Sequence, residues 1–210
     1  MKRLLIILSL SAGGLVSCNP RDSVLPVIPN RHNETPVASF AFIPGGIKPG
    51  FTLEASESEY PGEYGTVFRA SKKGRIYALG FNVPDTGVYV VSLWDAVSQS
   101  LLLRDTVHYT VASGFLYADF GPRNKELDID AGRSYIASVY LPRLPKGMAR
   151  RYYHLFQLGV YHWVPFTQGH ITVTGCNYTF TDAPTFPDVP VYHDDVMVGL
   201  ADIGYYATAY

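Results

Sequence analysis

From Val37 onward, hydrophobic and polar residues alternate over short runs bounded by Gly, Pro, Asp and Asn. This is the period of a half-buried strand. Arg75 to Val83 places Tyr77, Leu79, Phe81 and Val83 on one face, and Val88 to Asp95 does the same with Tyr89, Val91 and Leu93. Leu101 to Val111 follows with Leu101, Leu103, Val107, Tyr109 and Val111. Pro84-Asp85-Thr86-Gly87 has the chemistry of a tight turn, because Pro fixes a negative φ and Gly accepts a positive one, and it predicts a hairpin between the first two runs. Gly132 to Leu141, Gly169 to Phe180 and Val189 to Val198 predict further strands. No stretch of ten residues keeps a 3.6-residue period, so helix is expected to be minor. Many short antiparallel strands, with 19 Gly and 15 Pro to turn between them, predict an all-β fold, an antiparallel β-sandwich of jelly-roll type.

The first 36 residues break this pattern. Met1-Lys2-Arg3 is basic, Leu4 to Leu10 is apolar but too short to span a bilayer, and small residues at 11–14 precede Leu15-Val16-Ser17-Cys18. The segment resembles a bacterial lipoprotein signal. The resemblance implies that residues 1–17 are removed and that Cys18 becomes the lipid-bearing first residue. Residues 18–36 carry prolines at 20, 26, 29 and 36 without a hydrophobic period, the composition of an extended tether. A single domain is expected over 37–210. No second apolar segment reaches transmembrane length, so the expected membrane partner is reached through the lipid alone. Asn19 does not read as an inner-membrane retention signal, which points to the outer membrane of the cell envelope.

Removal of the signal takes away two of the 17 basic residues and none of the 18 acidic ones, leaving 15 against 18. A mildly acidic chain gives nucleic acid no electrostatic footing. The chain has two cysteines. With Cys18 acylated, Cys176 has no partner in the chain and reads as a small buried thiol rather than a nucleophile.

Several signatures fall in order along the chain: Gly65-Thr66-Val67-Phe68-Arg69-Ala70, Gly74-Arg75-Ile76-Tyr77-Ala78-Leu79-Gly80-Phe81, Ser92-Leu93-Trp94-Asp95, Leu101-Leu102, and the run from Ala131 to Tyr140. They resemble the bacterial family catalogued as domain of unknown function 4082. Tyr192 to Val196 resembles the family's terminal strand more weakly. Phe115 stands where the family usually has Trp, and residues 144–168 look like a local elaboration. The resemblance implies a secreted or cell-surface sandwich like those of carbohydrate modules, and it transfers no catalytic residue.

That elaboration holds the best candidate surface. Residues 149–156, Ala-Arg-Arg-Tyr-Tyr-His-Leu-Phe, continue to Tyr161-His162-Trp163. Aromatic faces stack on the C–H faces of sugars, and Arg or His binds hydroxyl or acidic groups. Arg151, Tyr153, Tyr161 and Trp163 are therefore the candidate ligand-binding residues, against the alternative that the rings are core. His193-Asp194-Asp195 offers metal-binding side chains, but neighbours on a strand point to opposite faces, so no metal site is assigned. Room remains for a structural Ca²⁺, and no other cofactor is expected. Glu57 and Glu59, a pair conceivable in a glycosidase, belong to an acidic stretch from Glu54 to Glu63 that reads as a solvated loop. No nucleophile, metalloprotease or phosphate-loop motif is present, so no catalysis is expected. The sequence predicts a lipid-anchored envelope module that binds glycan or another surface polymer. The alternative is an accessory or structural lipoprotein that docks to an envelope protein.

Overall fold

A computed structural model describes residues 33–208 except 45, 111–113, 124 and 146–147. The signal, Cys18 and the tether through residue 32 lie outside the described residues. A short helix α1 (Pro36–Ala41) precedes strands β1 (Phe42–Ile43), β2 (Gly46–Ile47), β3 (Phe51–Ser58), β4 (Gly62–Ala70), β5 (Gly74–Phe81), β6 (Gly87–Asp95), β7 (Leu101–Tyr109) and β8 (Leu116–Asp119). Then come β9 (Leu127–Ile129), β10 (Ser134–Leu141), β11 (Arg150–Gln157), β12 (Phe166–Gln168), β13 (Ile171–Phe180), β14 (Val189–Pro190), β15 (Val196–Val198) and β16 (Ala201–Ala207).

The largest sheet runs β12-β13-β4-β10-β6-β7, with β14 added to β13. Across the core from it stand β16-β5-β8, with β9 also on β5, and the small sheet β15-β11-β3. All the ladders are antiparallel. Tyr64, Phe68, Tyr89, Val91, Leu93, Val139 and Val173 of the large sheet meet Ile76, Leu79, Phe81, Leu155, Met197, Ile203 and Tyr205 in one hydrophobic cluster. The Thr66 hydroxyl crosses the layers to donate to the Ala201 carbonyl at 2.7 Å. The fold is an all-β antiparallel sandwich.

Three local expectations are corrected. Residues 84–87 do not close a hairpin, because β5 pairs with β16, β8 and β9 while β6 pairs with β10 and β7. The turn is a corner by which the chain changes sheets. Turn chemistry fixes a reversal of direction, whereas the pairing partner is set by which surfaces are buried together. Residues 189–198 form two short strands in different sheets instead of one. Finally, the acidic stretch is no solvated loop: residues 51–58 are a strand on β11, and Glu63 is fully buried in β4.

Glu63 is buried because a strap of residues 181–190 crosses the outer face of the large sheet. A Cβ at Gly65 would meet Ile136 Cγ2 at 2.5 Å and Pro187 at 3.0 Å, so glycine lets the strap pack close without displacing either side chain. The Pro187 carbonyl accepts from Asn177 Nδ2 at 3.1 Å, and the Pro184 carbonyl from Arg104 at 3.3 Å. Phe186 sits edge-on to Trp94 at 5.9 Å. Trp94 is buried as the central Ser-Leu-Trp strand suggests, but under this strap and outside the main cluster. Its Nε1–H donates to Ser138 Oγ at 2.8 Å, and the Ser138 hydroxyl donates to Glu63 Oε1 at 2.5 Å.

At the N-terminal side, Glu34 already belongs to the sandwich. It exchanges backbone hydrogen bonds with Tyr205, and its carboxylate accepts from the His170 N–H at 2.7 Å. The first N–H groups of α1 are satisfied from the far end of the chain: Val37 and Ala38 donate to the Asp202 carboxylate at 3.0 and 2.9 Å. Burial still pushes Asp202 up to about 6 against these donors and the Tyr117 hydroxyl.

Candidate functional site

The four residues expected to share a platform are distributed over different environments. Arg151 clamps the sheet-changing corner: its Nε and Nη2 donate to Asp85 Oδ1 at 2.9 and 2.5 Å, and its backbone N–H to Oδ2 at 3.1 Å. Tyr153 is partly buried and packs against the core. Tyr161 is 78% exposed in the turn after β11. Trp163 is only 5% exposed. It lies beside the Phe40–Phe166 pair, themselves stacked at 3.8 Å, at 5.8 and 5.7 Å from the two rings, meets Phe51 edge-on, and donates from Nε1 to the Asp195 carbonyl at 2.6 Å. Trp163 is therefore a core ring and is removed from the ligand-binding set. Helix α1, which carries Phe40 into this stack, opens on Thr35-Pro36, a helix-start signal in the sequence, but is too short to show a hydrophobic period.

A continuous row of rings does form, and it starts from the same run of residues, one position out of phase. On β11, strand alternation turns Tyr152, His154 and Phe156 to the face opposite Tyr153 and Leu155. His154 lies 5.1 Å from Tyr152 and 5.8 Å from Phe156 between ring centres. Tyr152 stacks on Tyr64 at 4.9 Å, and Tyr64 faces Tyr178 at 6.5 Å, with interplanar angles of 24° and 22°. Tyr178 meets Phe180 at 5.4 Å and Phe180 meets Tyr60 at 5.9 Å. Seven rings thus run in unbroken contact from β11 over the end of β4 to β13. Phe180 and Tyr60 are 56% and 63% exposed, Tyr64 is buried, and the others are partly buried.

Polar groups flank the ladder. The register of β3 on β11 pairs Glu54 with His154 and Ser56 with Tyr152, which places them on the same face. Ser56 Oγ lies 3.5 Å from His154 Nδ1. Burial lowers the His154 pKa, with Glu54 opposing, so the imidazole favours its neutral form. Burial raises Tyr64 and Tyr152, which stay phenols, and the Tyr64 hydroxyl has no partner. Flat apolar rings beside a carboxylate, hydroxyls and a neutral imidazole suit a ligand with apolar faces and many hydroxyls.

The sequence profile described as domain of unknown function (DUF4082) matches residues 50–198. The chain belongs to the DUF4082 family. The matched span includes the whole ladder and the strap, while α1 and β16 lie beyond it. No curated protein matches the chain. Among the described residues, no group of three or more His, Cys, Asp or Glu is arranged to hold a metal ion, and no helix is long and apolar enough to cross a membrane. Asp194, from the triplet with metal-binding side chains, instead accepts from His162 Nδ1 at 2.6 Å.

Of the neighbouring residues, Cys176 is buried as expected. Its thiol is pushed up to about 11 by burial, an environment that suppresses the nucleophilic thiolate.

Proposed function

We propose that this DUF4082 chain is a non-catalytic binding module of the cell envelope, held in the outer membrane by lipid on Cys18. Its ligand is a glycan or another surface polymer laid along the aromatic ladder. The observation that carries this reading is the unbroken contact of Tyr60, Phe180, Tyr178, Tyr64, Tyr152, His154 and Phe156, with exposed rings at one end. The exposed rings of Phe180 and Tyr60 offer stacking positions to a ligand, the buried Tyr64 anchors the row to the core, and Glu54 and Ser56 offer hydrogen bonds to hydroxyls. The experiment is retention of the purified chain on immobilised polysaccharides. Changing Tyr60 and Phe180 together to Ala should weaken retention tenfold or more, from about 1–3 kcal/mol per stacked ring by analogy with rings on bases. The melting temperature should hold, since both rings are exposed. Unchanged retention of the double variant overturns the reading.

A second reading, docking to an envelope protein, draws on the turn after β11. Leu158, Val160 and Tyr161 are 65%, 41% and 78% exposed there, an apolar tip of the kind that enters a partner's pocket. Tyr161→Ala, which leaves the ladder intact, should then abolish capture by the partner while polysaccharide retention stays unchanged.

A further inference from the structure

Beyond the ladder, a cleft of about 730 Å³ opens between the β1–β2 hairpin and the body of the sandwich. Its walls are mostly apolar, with Phe42, Ile43 and Ile47 from the hairpin opposite Leu53 and Phe115, and the lining hydroxyls of Thr35 and Ser39 bond each other at 2.9 Å. Phe42 and Phe115 meet edge to face at 5.2 Å, which fixes two rings at one side of the opening. The hairpin is tied to α1, because Lys48 donates through its backbone to the Ala41 carbonyl and through Nζ to the carbonyls of Ser39 and Phe40. The cleft is therefore a preformed feature of the fold, and its volume lies within the roughly 300–1,000 Å³ typical of small-molecule sites.

One residue in this cleft does not fit a purely structural role. Asn82 is 2% exposed, yet its side chain makes no hydrogen bond with the protein among the described residues. Only its backbone is engaged, where N–H donates to the Leu200 carbonyl at 3.0 Å. The Asn82 carboxamide lines the cleft, and its polar atoms are not among the fully buried ones, so it presents a donor and an acceptor to whatever enters. The Tyr153 hydroxyl, on the same wall, is likewise unbonded among the described residues. Among the described residues, no charged side chain lines the cleft.

We propose that the cleft is a binding site for an uncharged small molecule with an apolar ring or branched body and a single carboxamide, which pairs with the Asn82 side chain. The apolar body fills the space between Phe42, Ile47, Leu53 and Phe115. With no lining cation or anion among the described residues, a carboxylate or ammonium ligand would lose its water uncompensated, and a carboxamide end group matches the acceptor and donors of the Asn82 side chain. The site is independent of the ladder, whose residues do not line the cleft.

The test uses the full chain and three probes of one size: benzamide, benzoate and toluene. Saturation-transfer NMR and a titration by chemical shift should show benzamide binding at least tenfold more tightly than benzoate and toluene. Asn82→Leu should weaken benzamide at least tenfold while toluene binds as well or better. Gly46→Leu supplies a control that does not disturb the core, because a Cβ at Gly46 meets nothing within 4 Å and the backbone there is not left-handed. That variant should keep its melting temperature and lose all three probes. If Asn82→Leu does not fold, the probe ranking on the unaltered chain and its loss in Gly46→Leu decide the matter. Absence of benzamide binding, equal binding of benzamide and toluene, or benzamide binding that survives either variant overturns the proposal.

Discussion

Replacing Glu63 by Gln should change how the protein's stability depends on pH. Glu63 is fully buried beneath the strap, its Oε1 accepts from Ser138, and its Oε2 has no partner. Burial pushes its pKa from 4.5 up to about 7, although the Ser138 hydroxyl, the Arg104 guanidinium and the Thr185 backbone pull the other way. The folded state therefore holds the proton more tightly than the unfolded chain. Its contribution is fully present below pH 4.5, declines as the pH rises towards 7, and is lost above it. At about 1.4 kcal/mol for each pH unit between those two values, the complete loss is about 3 kcal/mol, of which about 2.5 falls between pH 5 and 8.5. Gln has the same shape, keeps the acceptor for Ser138 and carries no charge to bury, so the variant lacks this term. Urea denaturation of both proteins at about pH 5 and about pH 8.5 reads the difference directly. Asp202, pushed up to about 6, and His154, lowered by burial, titrate alike in both proteins and cancel in the comparison. The expected result is a Gln variant that gains about 2.5 kcal/mol on the parent as the pH rises. Stability curves that run parallel over this range would refute the reasoning, because the carboxyl would then have to be solvated or paired when ionised.

Trp163→Ala should cost about 3–5 kcal/mol in chemical denaturation, the usual effect of truncating a large core aromatic, and a loss under about 1 kcal/mol would contradict its place in the Phe40–Phe166 stack. Cys176, with its thiol pushed up to about 11, should resist iodoacetamide at pH 8 in the native protein and react once urea unfolds it; equal rates in the two states would disprove its burial. Cys18→Ala should remove all label from a metabolic palmitate analogue and leave the precursor unprocessed, and label persisting on that variant would end the lipid-anchor reading.

Period-two alternation was enough to predict strands, because each of these segments must bury at least one face whatever its partner. The segments at 75–83, 88–95, 101–111 and 132–141 each correspond to a strand, and the short signatures in them pointed to the family. Cys176 was also legible as buried, since a small apolar residue in such a run has little else to do. Pairing was not legible. Local chemistry at 84–87 specifies a reversal, but which edge β5 joins depends on β16, over a hundred residues away. Nor did the alternation say which face of β11 is open. The sequence presents Arg151 and Tyr153 as readily as Tyr152 and His154, and only the arrival of Tyr64 and Tyr178 from other strands joins the second set into a continuous row of rings. Trp163 and Glu63 reversed their expected environments for the same reason: α1 covers one and the strap covers the other. The sequence by itself determined the class of fold, because hydrophobic period is a property of neighbouring residues. Only the tertiary structure decided partners, open faces and which polar groups lose water, because each depends on what distant segments bury.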